Sequence, residues 1–209
     1  MPSVLPGRIE TLSQRNPQKS TSCFADYPTL GLDRNALHVC SNDFCPSYAS
    51  SDGYVIRKAS LLGSGPPVVT VFRGLVPTAL SSGPFTPQGV DDDSPTAGEG
   101  YFIGVDNASF GTLELRRIAD PGGTPTVSAN VPITVPATRA PLLVDHLGNT
   151  GGTGGRLSAL DDRLFAAQIR NGRLWTAQNI GVDNTGVASG TLTRNGSRWY
   201  ELSPARRCW

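Results

Sequence analysis

Lysine and glutamate are scarce in this chain. Two lysines, Lys19 and Lys58, stand against 16 arginines, and four glutamates against 13 aspartates. Lys and Glu are helix formers, whereas Asp, Gly and Pro make turns. With 24 Gly and 17 Pro in 209 residues, the balance excludes a helical protein. An excess of one charge is also missing. Charged residues make up 17% of the chain and the formal net charge is +1, so there is no basic field for nucleic acid or an anionic membrane surface. No apolar run approaches the ~18 residues that a membrane-spanning helix needs. Met1 to Ser20 lacks a basic stretch followed by an apolar one, so it is not a secretory leader. Either the chain is cytosolic or its numbering begins inside a longer precursor.

What is present is strand signal. Short β-branched and aromatic runs bounded by Gly, Pro, Asn or Asp recur from about Asp26 onward. They include Ala36 to Cys40, Gly53 to Arg57, Pro67 to Phe72, Tyr101 to Val105, Thr112 to Arg116, Arg163 to Ile169 and Arg173 to Gln178. Asn171-Gly172 predicts a tight hairpin, and Asn195-Gly196 a second turn before Arg198 to Leu202. The only helical candidate is residues 8–15.

A small-apolar-Asp tripeptide occurs at Gly31-Leu32-Asp33, Gly89-Val90-Asp91 and Ala159-Leu160-Asp161. The strands that follow begin near Ala36, Tyr101 and Leu164, spaced 65 and 63 residues apart. A four-stranded antiparallel unit repeated at this period is the pattern of a β-propeller blade. One such sheet cannot bury both faces alone, and stacking around an axis buries them, with Gly or Ala letting the inner strands crowd. The expected fold is all-β: an irregular arm over 1–22, a partial propeller over 23–203 with blades near 26–80, 84–140 and 141–203, and a tail over 204–209. The alternative is a β-sandwich. Three blades do not close a ring, since propellers use four to eight. Missing blades or a further chain would complete it.

The segments Cys23 to Asp33, Glu99 to Asn107, Leu160 to Ala167, Asn171 to Ala177 and Arg198 to Leu202 resemble secreted bacterial β-propeller proteins, which lie near the sialidase-like and BNR-repeat propellers. The resemblance covers roughly residues 23–203. It implies a secreted or surface location. The sialidase Ser-x-Asp-x-Gly-x-x-Trp box is absent, so the resemblance implies a fold and leaves the activity open.

Candidate sites follow from residue type. Propeller glycosidases use paired carboxylates, which makes Asp26, Asp91 and Glu99 the catalytic candidates. Aspartates at strand ends also cap turns, and their recurrence favours that role. Asp91-Asp92-Asp93 followed by Ser94 offers clustered oxygens for Ca²⁺, although without EF-hand spacing. Trp175, Trp199 and Tyr200 are aromatic candidates for stacking sugar rings, with strand packing as the alternative. Four cysteines allow three pairings. A bridge within Cys23, Cys40 and Cys45 suits an oxidising compartment, with Cys40–Cys45 the candidate pair and free thiols the alternative. Asp145-His146 and the Gly148 to Gly155 stretch lack the partners of a triad or a phosphate loop. The leading expectation is a non-catalytic module that binds carbohydrate or protein. Its rival is part of a sialidase-like glycoside hydrolase.

Overall fold

The computed structural model describes residues 23–204, so the helical candidate at 8–15 and most of the tail lie outside the described residues. The chain is all-β. Its strands are β1 (Phe24–Leu32), β2 (Ala36–Phe44), β3 (Tyr48–Arg57), β4 (Val69–Val76), β5 (Pro84–Gly89), β6 (Asp91–Asp92), β7 (Glu99–Asp106), β8 (Thr112–Ala119), β9 (Thr126–Val127), β10 (Val131–Thr134), β11 (Leu164–Arg170), β12 (Arg173–Val182) and β13 (Arg194–Leu202). A single helical turn, Lys58–Leu61, follows β3.

The strands form three sheets. The first is a meander in the order β1-β2-β3-β4, and the second runs β10-β8-β7-β5 with β9 also on β8. The third runs β13-β12-β11-β6. Its fourth strand corrects the sequence reading: it is Asp91–Asp92, lying parallel to β11, and comes from the segment that follows β5. The chain thus leaves the second sheet and within two residues is hydrogen-bonded into the third. Val90, between them, is buried.

Alternation along the strands decides which faces meet. Ala36, Cys40 and Val55 of the first sheet pack against Phe102 and Ile118 of the second. Tyr101, Ile103 and Leu115, on the other side of the second sheet, join Leu164, Ile169, Leu174 and Tyr200 of the third. The second sheet is therefore buried on both faces, which explains why β7 carries a nearly continuous apolar run (Tyr101 to Val105). Glycine permits the close approach. A Cβ on Gly89 would lie 2.1 Å from the His38 carbonyl oxygen, and one on Gly31 would lie 2.2 Å from the Gly89 carbonyl carbon. Here β1, β2 and β5 touch backbone to backbone.

β1, β5 and β11 share a device that the tripeptides do not mark. Each carries a register shift, between Asp26 and Thr29, Phe85 and Gln88, and Leu164 and Ala167. Each shift contains one residue at positive φ: Tyr27, Thr86 and Ala166. These are β-bulges, and Pro28 and Pro87 lie within two of them, on edge strands where no ladder N–H is lost. Against this frame the first two tripeptides close β1 and β5, while Ala159-Leu160-Asp161 precedes β11. The third copy is out of register.

Asn171-Gly172 makes the expected two-residue turn, with φ of 52° and 71° and Arg170 opposite Arg173. Asn195-Gly196 does not turn. It lies inside β13 opposite Gly181 and Ile180, where the Asn195 amide pairs with both the N–H and the carbonyl of Leu142. The cysteine pairing also differs from expectation. Cys23 bonds Cys45, and Cys40 is a buried free thiol. β1 runs antiparallel to β2 and sets Phe24 opposite Phe44, which brings the residues flanking that pair together. Cys40 points into the core beside Val55, and burial raises its thiol pKa.

Candidate functional site

The outer face of the third sheet carries the strongest candidate. Leu174, Tyr200 and Leu202 point to the core, so alternation sends Trp175, Ala177, Trp199 and Glu201 outward. Trp199 lies opposite Ala177, and Trp175 opposite Gln168 on one side and Glu201 on the other. The two indoles are diagonal neighbours, stacked with ring centroids 5.6 Å apart and 29° between planes. Beside them a groove of about 450 Å³ is lined by Phe165, Ala166, Gln168, Thr176 and Asp91 as well as both tryptophans. Trp199 remains 67% exposed and Phe165 40% exposed, so neither is spent on packing. The Arg173–Glu201 ion pair, 2.9 Å, borders this face.

Of the three aromatic candidates, Trp175 and Trp199 are brought together, and Tyr200 is not. Tyr200 is buried on the opposite face, where its hydroxyl accepts a hydrogen bond from Gln178 Nε2 at 2.8 Å and burial raises its pKa. Successive strand residues face opposite sides, so Trp199 and Tyr200 could not both serve the groove. Phe165 and Gln168 are the groove residues that the sequence reading missed. They straddle the β11 bulge, which breaks the alternation that would have assigned them to one face.

The acidic candidates are held apart by their partners. Asp26 stands exposed at the β1 bulge, opposite Asn42. Asp91 accepts the Leu32 N–H at 2.9 Å, tying the third sheet to the end of β1. Glu99 pairs with Arg117 at 2.5 Å and accepts the Tyr101 hydroxyl. Burial and this carboxylate together push the Tyr101 pKa up to about 12. Asp91 lines the aromatic groove, whereas Asp26 and Glu99 do not. Asp92 accepts the Ser94 N–H, and Asp93 pairs with Arg170. The Asp91-Asp92-Asp93 run therefore sends its carboxylates to three different neighbours. No group of three His, Cys, Asp or Glu suited to a metal ion occurs among the described residues. Turn capping is widespread instead: Asp33, Asp120, Asp161 and Asp183 each accept backbone N–H groups two to four residues ahead.

Buried carboxylates occur elsewhere. Asp106, at the end of β7, accepts bonds from Ser82 Oγ, Gly83 N–H and Ser109 Oγ. Burial raises the Asp106 pKa, but these donors outweigh it and hold it below the usual value. Glu114 shares Ser82 with it, and burial together with the Asp106 charge pushes its pKa up to about 7. Asp162 is likewise raised by burial. No alternating pattern or motif marks these three, because their burial depends on which sheets stack.

Comparison with family models, curated proteins and solved structures yields no match for this chain.

Proposed function

We propose that this chain is a non-catalytic carbohydrate-binding module whose ligand lies in the Trp175/Trp199 groove. The observation that carries this reading is the stacked, outward-facing tryptophan pair beside a cavity with a few polar side chains at its border. A pyranose presents an apolar C–H face and a rim of hydroxyls. Indole faces take the first, and the Gln168 amide and the Asp91 carboxylate offer donors and acceptors for the second. A protein ligand is the alternative occupant, and the same aromatic pair would anchor it.

The architecture fits a partial propeller in which the three sheets are successive blades. This is supported by the mutual approach of β1, β5 and β11, the bulge shared by those strands, and the glycine contacts between β1 and β5. A layered β-sandwich is the other arrangement compatible with three open sheets. The outer face of the first sheet carries Leu30, Leu37, Val39 and Val71, with Leu30 60% exposed. In the propeller reading that face meets a further blade. A secreted or surface location fits the Cys23–Cys45 bridge.

The test is a glycan array probed with the wild type and Trp199→Ala, together with assays on aryl-glycosides. Binding that the substitution abolishes, without turnover, supports the module. Turnover would move the reading to a glycoside hydrolase, and wild-type silence across the array would leave the groove to a protein ligand.

A further inference from the structure

A second cavity, of about 240 Å³, lies where the turn after β7 meets the segment leading into β11. It is lined by Asp106, Ser109, Asp161 and Asp162 and walled by Phe85 and Phe110. It shares no residue with the tryptophan groove. We propose that this cavity is a binding site for a single organic ammonium group, held by the Asp106 and Asp162 carboxylates between the two phenyl rings.

The charge balance of the cavity is the main support. Asp161 is already neutralised, because both of its oxygens meet Arg163, at 2.7 Å from Nε and 2.7 Å from Nη2. Asp106 and Asp162 have no such partner. Among the described residues neither makes an ion pair, and the bonds to Asp106 come from the Ser82 and Ser109 hydroxyls and the backbone N–H groups of Gly83 and Ala108. Asp162 is 8% exposed, and among the described residues the one side-chain donor that reaches it is Thr138 Oγ1, at 3.4 Å. Behind Asp106 lies Glu114, 3% exposed, whose Oε2 is buried with no hydrogen-bond partner. Arg116 is nearby but directs its guanidinium to the carbonyls of Leu75 and Ser128. A carboxylate buried as Asp162 is, with one long side-chain hydrogen bond and no cation, is costly, and a cation entering the cavity would relieve that cost.

The walls select the kind of cation. Phe85 already carries the Arg163 guanidinium at 5.6 Å from its centroid, so its ring takes part in cation–π contact in this molecule. Phe110, 58% exposed, stands at the mouth. Phenyl rings suit an alkylammonium and supply no ligand for a hard metal ion, which needs six or more oxygens as calcium does. The volume is below the ~300–1,000 Å³ of sites that enclose a whole ligand. It fits one amine-bearing arm, such as a lysine side chain of a protein partner or the amino group of an amino sugar.

The experiment is a titration of the folded chain with n-butylammonium chloride, followed by the amide chemical shifts of Ser109, Phe110 and Asp162. n-Butanol and calcium chloride serve as separate controls. We expect saturation at about 1–10 mM butylammonium, no saturation with n-butanol, and at least tenfold weaker binding in Asp162→Asn. Phe110→Ala, at an exposed position, is the second variant and should weaken binding severalfold even if Asp162→Asn fails to fold. Nα-acetyl-lysine methylamide and glucosamine distinguish the source, and saturation by either supports the site. Equal responses to butanol and butylammonium, a calcium response with butylammonium silent, or unchanged affinity in both variants would overturn the proposal. None of these outcomes bears on the tryptophan groove.

Discussion

Asp33 and His38 meet inside the protein, Oδ2 to Nε2 at 2.8 Å, with both side chains essentially buried. The same carboxylate caps the β1–β2 turn through its other oxygen, accepting the N–H groups of Asn35 and Ala36. His38 in turn lies against the second sheet: a Cβ on Gly100 would sit 2.3 Å from its ring. One aspartate thus fixes a turn, orients a core imidazole and sets the spacing of two sheets.

That arrangement carries a pH dependence. Burial pushes the Asp33 pKa up, but the His38 bond and the two amide bonds outweigh it and bring it below 3.8. A carboxyl with a depressed folded pKa contributes stability above its unfolded value and loses it as pH falls through the folded one. Urea midpoints measured from pH 6 to pH 2 should therefore fall more steeply in the wild type than in Asp33→Asn. Parallel curves would remove Asp33 from the account of acid unfolding.

Glu114 has the opposite sign. Its folded pKa, about 7, lies above the ordinary glutamate value of 4.5, so between those limits the folded state holds the extra proton. Stability then falls as pH rises through that window. Glu114→Gln should be more stable than the wild type at pH 8, by about 1–3 kcal/mol, with the difference shrinking towards pH 5. Thermal melts of both proteins at the two pH values check this.

The contact of β5 with β1 and β2 leaves no room for a side chain. A Cβ at Gly89 would collide with the His38 carbonyl and the Gly31 nitrogen, at 2.1 and 2.7 Å, and both are backbone atoms that cannot swing away. Gly89→Ala should cost about 3 kcal/mol or prevent folding. Gly172→Ala, in the open hairpin turn, should cost about 1 kcal/mol through its positive φ alone. Comparing their denaturation midpoints separates sheet packing from turn strain.

The disulfide assignment is open to direct test. Cys23→Ala/Cys45→Ala should lose about 2–4 kcal/mol, because the bridge closes a separation of 22 residues. Cys40 is buried, so a thiol reagent should modify it only when the chain unfolds. Peptide mapping without reduction reports both, and a Cys40–Cys45 peptide would refute the pairing.

Much of the fold was legible from turn chemistry and strand composition. Asn171-Gly172 located a hairpin because two positive-φ residues suit few other places, and the apolar run Tyr101 to Val105 located a strand, whose burial on both faces follows from how the sheets stack. Asn195-Gly196 misled because the same pair fits a strand when the Asn195 amide finds backbone partners across the sheet at Leu142. The bulges at Tyr27, Thr86 and Ala166 were hidden for a different reason: none carries glycine or another residue that marks positive φ. They shift the side-chain period, which obscured Phe165 and Gln168. Trp175 and Trp199 were visible as types, but their pairing depends on the β12–β13 register. Asp106, Glu114 and Asp162 acquire their character from sheet stacking, which is a long-range property.

The groove gives the most direct measurement. In a chain carrying Trp209→Phe, the indole emission comes from Trp175 and Trp199 alone. Titration with the oligosaccharide that scores highest on a glycan array should shift that emission and saturate. Trp175→Ala or Trp199→Ala should weaken binding at least tenfold, while Trp199→Ala leaves the melting temperature nearly unchanged. Saturable binding that survives both substitutions would contradict the assignment of this face as the ligand site.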